Sequence, residues 1–247
     1  MASRAVSPRA SWQSATLLAD DLKRSAAEKA LELVQEGMLL GLGTGSTSRL
    51  FVEGVGRLVA SGMKVRGVPT SRATAELAAS LGIPIVTELV GQIDLAVDGA
   101  DEVDPALNLI KGRGGALFRE KLVAAASKRF VVVVDESKLV KQLGEGVLPV
   151  EVLPFLWRST AERLTALGLS LVIRGGEETP YVTDNGNVIL DVTVAEGIKN
   201  PAELALELKQ VTGVVEHGLF VGMTDTVIVA GPDGPKAIGR SSGARSC

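Results

Sequence analysis

The sequence predicts an α/β protein: a doubly wound, Rossmann-like, mostly parallel sheet with helices on both faces, plus a smaller α+β domain. Three observations carry this reading. Short apolar runs alternate with segments whose apolar residues repeat at helical spacing. The runs are apolar at successive positions, as strands buried on both faces require. Three of them lead straight into polar segments, at 43–47, 98–102 and 135–138, and ligands of open α/β sheets gather beyond such strand ends.

In order along the chain, Asp20 is expected to cap a helix over Leu22 to Gln35, with Leu22, Ala26, Ala30, Leu33 and Val34 on its apolar face. Met38 to Leu42 reads as a buried strand and Ser46 to Val59 as a helix. Strands follow at Lys64 to Val68, Ile83 to Thr87 and Ile93 to Val97, with a helix at Ala73 to Ser80. Ala116 to Ser127 is a helix, and the β-branched run Arg129 to Val134 a strand. After Lys141 the pattern changes. Pro149 to Pro154 is extended, Ser159 to Leu167 helical and Ser170 to Ile173 a strand. Asn185-Gly186 marks a tight hairpin turn before a strand at Val188 to Val194. A helix opened by Pro201 and strands at Val214 to Phe220 and Thr226 to Ala230 complete the order. The expected organisation is an extension over 1–19, a doubly wound domain over 20–148 and 224–247, and a small α+β domain over 149–223.

Composition narrows the function classes. At 247 residues the chain can bury a sizeable core. Its 26 basic residues against 29 acidic ones give no electrostatic case for nucleic acid or an anionic membrane as partner. Trp12 and Trp157 form no stacking stripe for single strands. No apolar run reaches the roughly 18 residues of a membrane-spanning helix. Cys247 is the one cysteine, so no intrachain disulfide forms and a reducing, cytoplasmic setting is expected. The start, with two arginines, several serines and no acid in 1–19, fits organellar import or a disordered extension. His217 is the one histidine; no histidine-based metal site is expected, and the residue reads as structural.

Four segments carry the candidate chemistry. Gly43-Thr44-Gly45-Ser46-Thr47 sits between strand and helix, where glycines allow close approach and the helix start offers free N–H groups. It either cradles a phosphate or simply caps the helix. It lacks the lysine of a P-loop and the third glycine of a dinucleotide fingerprint. Asp98-Gly99-Ala100-Asp101-Glu102 places acids after a strand, where they orient sugar hydroxyls, fix a lysine, hold magnesium with Asp104, or shape a turn. In Lys111-Gly112-Arg113-Gly114-Gly115, glycines between two cations leave N–H groups open to an oxyanion beside Lys111. Glu120 follows early in the next helix, aimed at the strand ends unless Arg119-Glu120-Lys121 is an exposed triplet. Lys138 of Asp135-Glu136-Ser137-Lys138 either reaches the same crevice or lies in a surface turn.

As an ordered set, GTGST at 43–47, DGADE at 98–102, KGRGGALFREK at 111–121, DESK at 135–138, PVEVLP at 149–154 and TDNGNVILD at 183–191 resemble the A-type family of ribose-5-phosphate isomerases over about residues 20–240. The resemblance implies an aldose–ketose isomerase of the non-oxidative pentose phosphate pathway, interconverting ribose 5-phosphate and ribulose 5-phosphate through a cis-enediol(ate). It implies Glu120 as general base and Asp98, Asp101 and Lys111 as catalytic residues. Substrate binding falls to Gly43, Thr44, Gly45, Ser46 and Thr47 on the phosphate side, and to Gly112, Arg113, Gly114 and Lys138. No metal or cofactor is implied, and the partners are a small sugar phosphate and one or three further copies of the chain, as homodimer or homotetramer. Arg113 stands where many members have glycine, and Phe118 where a small hydroxyl residue is frequent. Two rival readings are a sugar-phosphate sensor without turnover, and another sugar-phosphate or acyl-CoA enzyme of related architecture. The absence of a DNA-binding helical head argues against the first, and the combined 98–102 and 111–121 segments against both.

Overall fold

The computed structural model describes residues 21–239. Helix α1 covers 21–31, ending four residues before the expected Gln35. There Leu33 N–H and Val34 N–H bond to the carbonyls of Ala30 and Leu31, three residues back, and Gly37 at φ 82° turns the chain out of the helix. The expected cap, Asp20, lies outside the described residues, as does the 1–19 extension.

Strand β1 (Leu39–Leu42) is buried throughout and runs into α2 (Ser46–Ala60). Next come β2 (Arg66–Pro69), α3 (Arg72–Ser80), β3 (Leu95–Asp98), the two-residue strands β4 (Glu102–Val103) and β5 (Leu109–Ile110), α4 (Leu117–Ala125) and β6 (Phe130–Asp135). A 3₁₀ turn follows at Glu136–Lys138. The second half holds β7 (Leu148–Val152), α5 (Trp157–Ala166), β8 (Ser170–Ile173), β9 (Val188–Thr193), α6 (Pro201–Gln210), β10 (Val214–His217), β11 (Leu219–Phe220), β12 (Thr226–Gly231) and β13 (Gly234–Gly239).

The main sheet has the order β13-β12-β6-β3-β1-β2, parallel except for β13 at one edge. Both faces are covered, as the apolar runs require. Leu40, Leu42, Val131 and Val133 pack with Ala26, Phe51, Val52 and Val55 on one face. Leu39, Val132 and Val134 pack with Val123 and Phe220 on the other. The winding reverses between β1 and β3, so the loops after these strands open a crevice at their carboxyl ends. A second, antiparallel sheet, β10-β7-β9-β8, has its own apolar cluster around Val150, Leu164, Leu190 and Leu208. A third, β11-β5-β4, is three strands wide. After the second sheet the chain returns, with β12 beside β6.

Several expected strands differ from the structure. Ile83 to Thr87 forms only one bridge, between Ile85 and Gly67; Pro84 has no N–H and contributes just its carbonyl, to Gly67. The strand near Lys64 starts at Arg66 because Lys64 N–H is taken by the Glu36 carboxylate. The run Val214 to Phe220 is broken at Gly218 and serves two sheets. There Gly218 donates to Pro149 O and accepts from Lys111 N–H, and a Cβ would lie 2.2 Å from Lys111 O. β4, β5 and β13 were not anticipated, two of them being only two residues long.

The turn at Asn185-Gly186 forms as expected, with Gly186 at φ 79° and its N–H on Thr183 O. Glu151, wholly buried in β7, holds it: one carboxylate oxygen accepts from Thr183 Oγ1 at 2.9 Å, Asn185 Nδ2 at 3.1 Å and Asn187 Nδ2 at 2.8 Å. Removing that acceptor strands three donors. Glu151→Ala is therefore expected to lower unfolding stability by about 3 kcal/mol, read from urea denaturation; a loss below about 1 kcal/mol would show that the turn holds itself.

Candidate active site

The crevice encloses about 610 Å³ between the loops after β1, β3, β5 and β6. Its floor begins at Asp98, the last residue of β3. One oxygen, Oδ1, accepts from Thr44 N–H at 3.0 Å, Ser48 Oγ at 2.9 Å and Gly99 N–H at 2.8 Å. Gly43 is glycine because a Cβ there would stand 2.2 Å from this same oxygen. The other oxygen stands 3.1 Å from Lys111 Nζ, out of hydrogen-bond alignment with it.

Lys111 leaves β5 and is buried by the third sheet, which places its ammonium under the crevice. Nζ donates to Gly99 O at 2.6 Å and stands 3.4 Å from Glu120 Oε1. Phe220 lies beneath, with Nζ 5.7 Å from the ring centroid. Burial pulls the lysine's pKa down, but the Asp98, Glu120 and Asp101 carboxylates outweigh it, and the net shift is upward.

Glu120 enters from the first turn of α4, with its N–H on Ala116 O. Only 5% of it is exposed, and Oε2 has no hydrogen-bond partner among the described residues. Burial raises its pKa to about 8; Lys111 opposes the shift and Asp98 adds to it. A carboxylate kept dry, half-paired and next to a cation suits proton transfer rather than structure.

Of the residues picked out in the sequence, Thr44, Gly45, Ser46, Thr47, Asp101, Lys111, Gly112, Gly114, Glu120 and Lys138 line the crevice. Gly45, at φ 113°, opens α2 with no side-chain cap, so the first N–H groups of the helix face the crevice uncommitted. Lys138 lies half-buried in the turn after β6, with no carboxylate in ion-pair reach among the described residues. Thr44 contributes less than its position suggests. Its N–H is taken by Asp98 and its hydroxyl by a cluster of Thr70, Ser71 and Thr74 at 2.8–3.0 Å.

Asp98 and Gly43 lie just beneath the crevice lining, with Asp98 Oδ2 3.1 Å from Lys111 Nζ and without a hydrogen-bond partner among the described residues. The Arg113 guanidinium turns away to Glu102, at 2.9 Å, and packs against Gly146; only its N–H faces inward, onto Asp101 Oδ2 at 2.9 Å. The magnesium alternative fails on donor geometry. Glu102 accepts from Arg113 and from Gly144 and Gly146 N–H, while Asp104 caps Ala106 and Asn108, so the four acids do not converge. Phe118 does not line the crevice. His217 is buried against Lys121 and accepts from Leu219 N–H, a structural place.

Lys23 and Leu22 of α1, Ser48 and Pro232 also line the crevice, outside the four candidate segments. Nothing in a helix start such as 21–24 marks a lysine as facing a strand end some 20 residues on. The run of hydroxyls after Gly45 continues one residue beyond Thr47, to Ser48.

Comparison with known proteins fits this geometry. The sequence profile of ribose 5-phosphate isomerase A (phosphoriboisomerase A) matches residues 66–234. The chain is 49% identical to "Probable ribose-5-phosphate isomerase 2" of Arabidopsis thaliana over 91% of this chain and 88% of that one. It superposes on the ribose 5-phosphate isomerase of Plasmodium falciparum with TM-score 0.86 and 41% identity, over 90% of this chain and 100% of that one. A D-ribose-5-phosphate isomerase solved in complex with phospho-erythronic acid gives TM-score 0.85 and 40% identity, over 90% and 99%. The chain belongs to the ribose 5-phosphate isomerase A family and is an isomerase.

Proposed function

We propose that this chain interconverts ribose 5-phosphate and ribulose 5-phosphate, with Glu120 moving a proton between C2 and C1 of the open-chain sugar. One observation carries the reading: a buried carboxylate oxygen of Glu120 without a partner among the described residues, on a group that also stands 3.4 Å from Lys111. A binding module has no use for such a group, since an unpaired buried acid lowers stability.

In this mechanism Glu120 takes the C2 proton of the aldose, and the electron pair passes to the carbonyl oxygen at C1, giving an enediolate. Lys111 meets the negative charge as it develops, inside a site where water screens it poorly. Asp101, with one oxygen not engaged among the described residues, assists transfer of the hydroxyl proton from O2 to O1. Glu120 then returns its proton to C1. Asp98 holds Lys111 in line. The phosphate is assigned to the free N–H groups at the start of α2, with Ser46, Thr47 and Lys138 beside them. The same two ends, a cation and a helix start, would receive the carboxylate and phosphate of a ligand such as phospho-erythronic acid. The family likeness extends the proposal to a cofactor-independent homodimer or homotetramer, and the cysteine usage to a cytoplasmic setting.

A coupled assay with ribose 5-phosphate, run with EDTA present, tests the reaction. Glu120→Gln should abolish both turnover and deuterium exchange from solvent into substrate. The raised pKa of Glu120 means that the folded state favours its protonated form. That stabilisation is complete below about 4.5 and lost as pH rises toward about 8. The Gln variant should therefore melt no lower than the parent at pH 8.5; near-normal kcat would remove Glu120 from the role of base.

The same shift sets the pH profile. Only ionised Glu120 accepts a proton, so kcat/KM should climb about tenfold per pH unit up to a midpoint far above 4.5 and toward about 8. An acid limb centred in the ordinary carboxylate range would contradict it. Lys111→Ala should lower kcat by roughly 10² or more, as loss of an oxyanion donor does. An effect on KM alone would place Lys111 in ground-state binding instead.

A further inference from the structure

The glycine loop 112–115 borders the reacting end of the crevice; one turn bond, Gly115 N–H to Gly112 O at 2.9 Å, closes it, and its other restraints come from outside. Arg174, just after β8 and 62 residues beyond Gly112, sends Nη1 to Gly112 O at 3.1 Å and Arg113 O at 3.0 Å. Its remaining donors fork onto Asp191 of β9, with Nε 2.9 Å from Oδ2. Tyr181 covers the guanidinium at 5.9 Å from its ring centroid and accounts for Gly115 as well, since a Cβ there would stand 2.3 Å from the tyrosine oxygen.

Peptide planarity turns these contacts into a statement about the crevice. In a trans peptide the N–H points opposite the C=O, and no cis bond occurs among the described residues. The peptide whose carbonyl belongs to Gly112 carries Arg113 N–H, which donates to Asp101 Oδ2. The peptide whose carbonyl belongs to Arg113 carries Gly114 N–H; no protein acceptor takes it among the described residues, and Gly114 lines the crevice. Gripping the two carbonyls therefore aims one N–H at Asp101 and presents the other to a ligand. A cation at the oxygen end also polarises both peptides toward stronger donation.

We infer that Arg174, braced by Asp191, is a positioning residue for the isomerisation: it orients the Gly112–Gly114 peptides so that Gly114 N–H meets the enediolate oxygen and Asp101 stays in place. It touches no reacting atom. The inference rests on the isomerase reading above, and it reaches the site from the second sheet, across residues that no motif spacing connects.

The test uses the full chain with ribose 5-phosphate. Arg174→Ala should lower kcat about 10- to 100-fold, the range for a misplaced or lost oxyanion donor, while KM moves less than about threefold. Millimolar guanidinium ion, against an equal concentration of sodium chloride, should restore part of the lost rate in this variant and none in the parent. Arg174→Lys, which keeps the charge without the fork, should fall between the two. A kcat within about twofold of the parent, or a loss confined to KM, overturns the inference, as does a lost rate that guanidinium fails to lift. If Arg174→Ala does not fold, Asp191→Asn decides: it keeps Arg174 but loosens the brace, and an unchanged kcat rejects the role. Deuterium exchange separates this from failure of the isomerase reading. A parent chain that exchanges no deuterium into ribose 5-phosphate fails as an isomerase, whereas exchange that is normal in both parent and Arg174→Ala fails only the positioning role.

Discussion

A lysine ammonium buried among oxygen atoms organises this protein's crevice. Lys111 is 3% exposed, and a lone cation at that depth would lose its proton or unfold the site. It stays charged because Gly99 O, Asp98 and Glu120 surround it. Each partner is fixed in turn. Asp98 is pinned by three donors and by the missing side chain of Gly43, and Glu120 by the first turn of α4. The topological switch between β1 and β3 brings these pieces to one place.

The arrangement is unsymmetrical, and that asymmetry gives it chemistry. Asp98 is held through one oxygen by three donors, with its other oxygen 3.1 Å from the lysine. Glu120 has one oxygen near the cation and one with nothing to hold it. Burial pushes Glu120 toward the neutral form while Lys111 pulls it back. Two carboxylates flank one cation, one pinned by three donors and the other left half-paired, and the proposed proton transfer rests on that difference. The stability given up by the half-paired acid is recovered in the apolar strands beneath, where Val131, Val132 and Val133 are completely buried.

Much of this was legible from residue order. The apolar runs placed β1, β3, β6 and β12 to within two residues, and the polar segments after them marked the crevice. What stayed hidden depended on contacts between distant segments. GTGST signalled a turn at a strand end, but not that Gly43 makes room for Asp98 or that the Thr44 hydroxyl joins Thr70, Ser71 and Thr74. Arg113 sits between glycines and reads as a ligand cation until Glu102 is seen to hold it. The break at Gly218 was invisible in an apolar run, because only the approach of Lys111 O and Pro149 requires it. Lys23 carries no local signal at all.

The glycine loop shows why a second sheet belongs in such a site. Gly112 cannot carry a side chain, since a Cβ would stand 2.6 Å from Leu117, and Gly115 is excluded from one by Tyr181. Close packing therefore demands glycine, and glycine brings the greatest loss of freedom when it is ordered. The loop makes one turn bond of its own, Gly115 N–H to Gly112 O at 2.9 Å, and the rest of its restraint comes from outside. Asp101 takes its N–H, Glu102 its arginine, and Arg174 its carbonyls, so that the loop is fixed from three directions. The first two anchors come from the chain segment leading out of the parallel sheet, and the third from the antiparallel one. The parallel sheet places the acid and the cation; the antiparallel sheet fixes the peptide dipoles facing them. Separating these tasks lets the loop approach a ligand closely without carrying any ionisable side chain into the crevice.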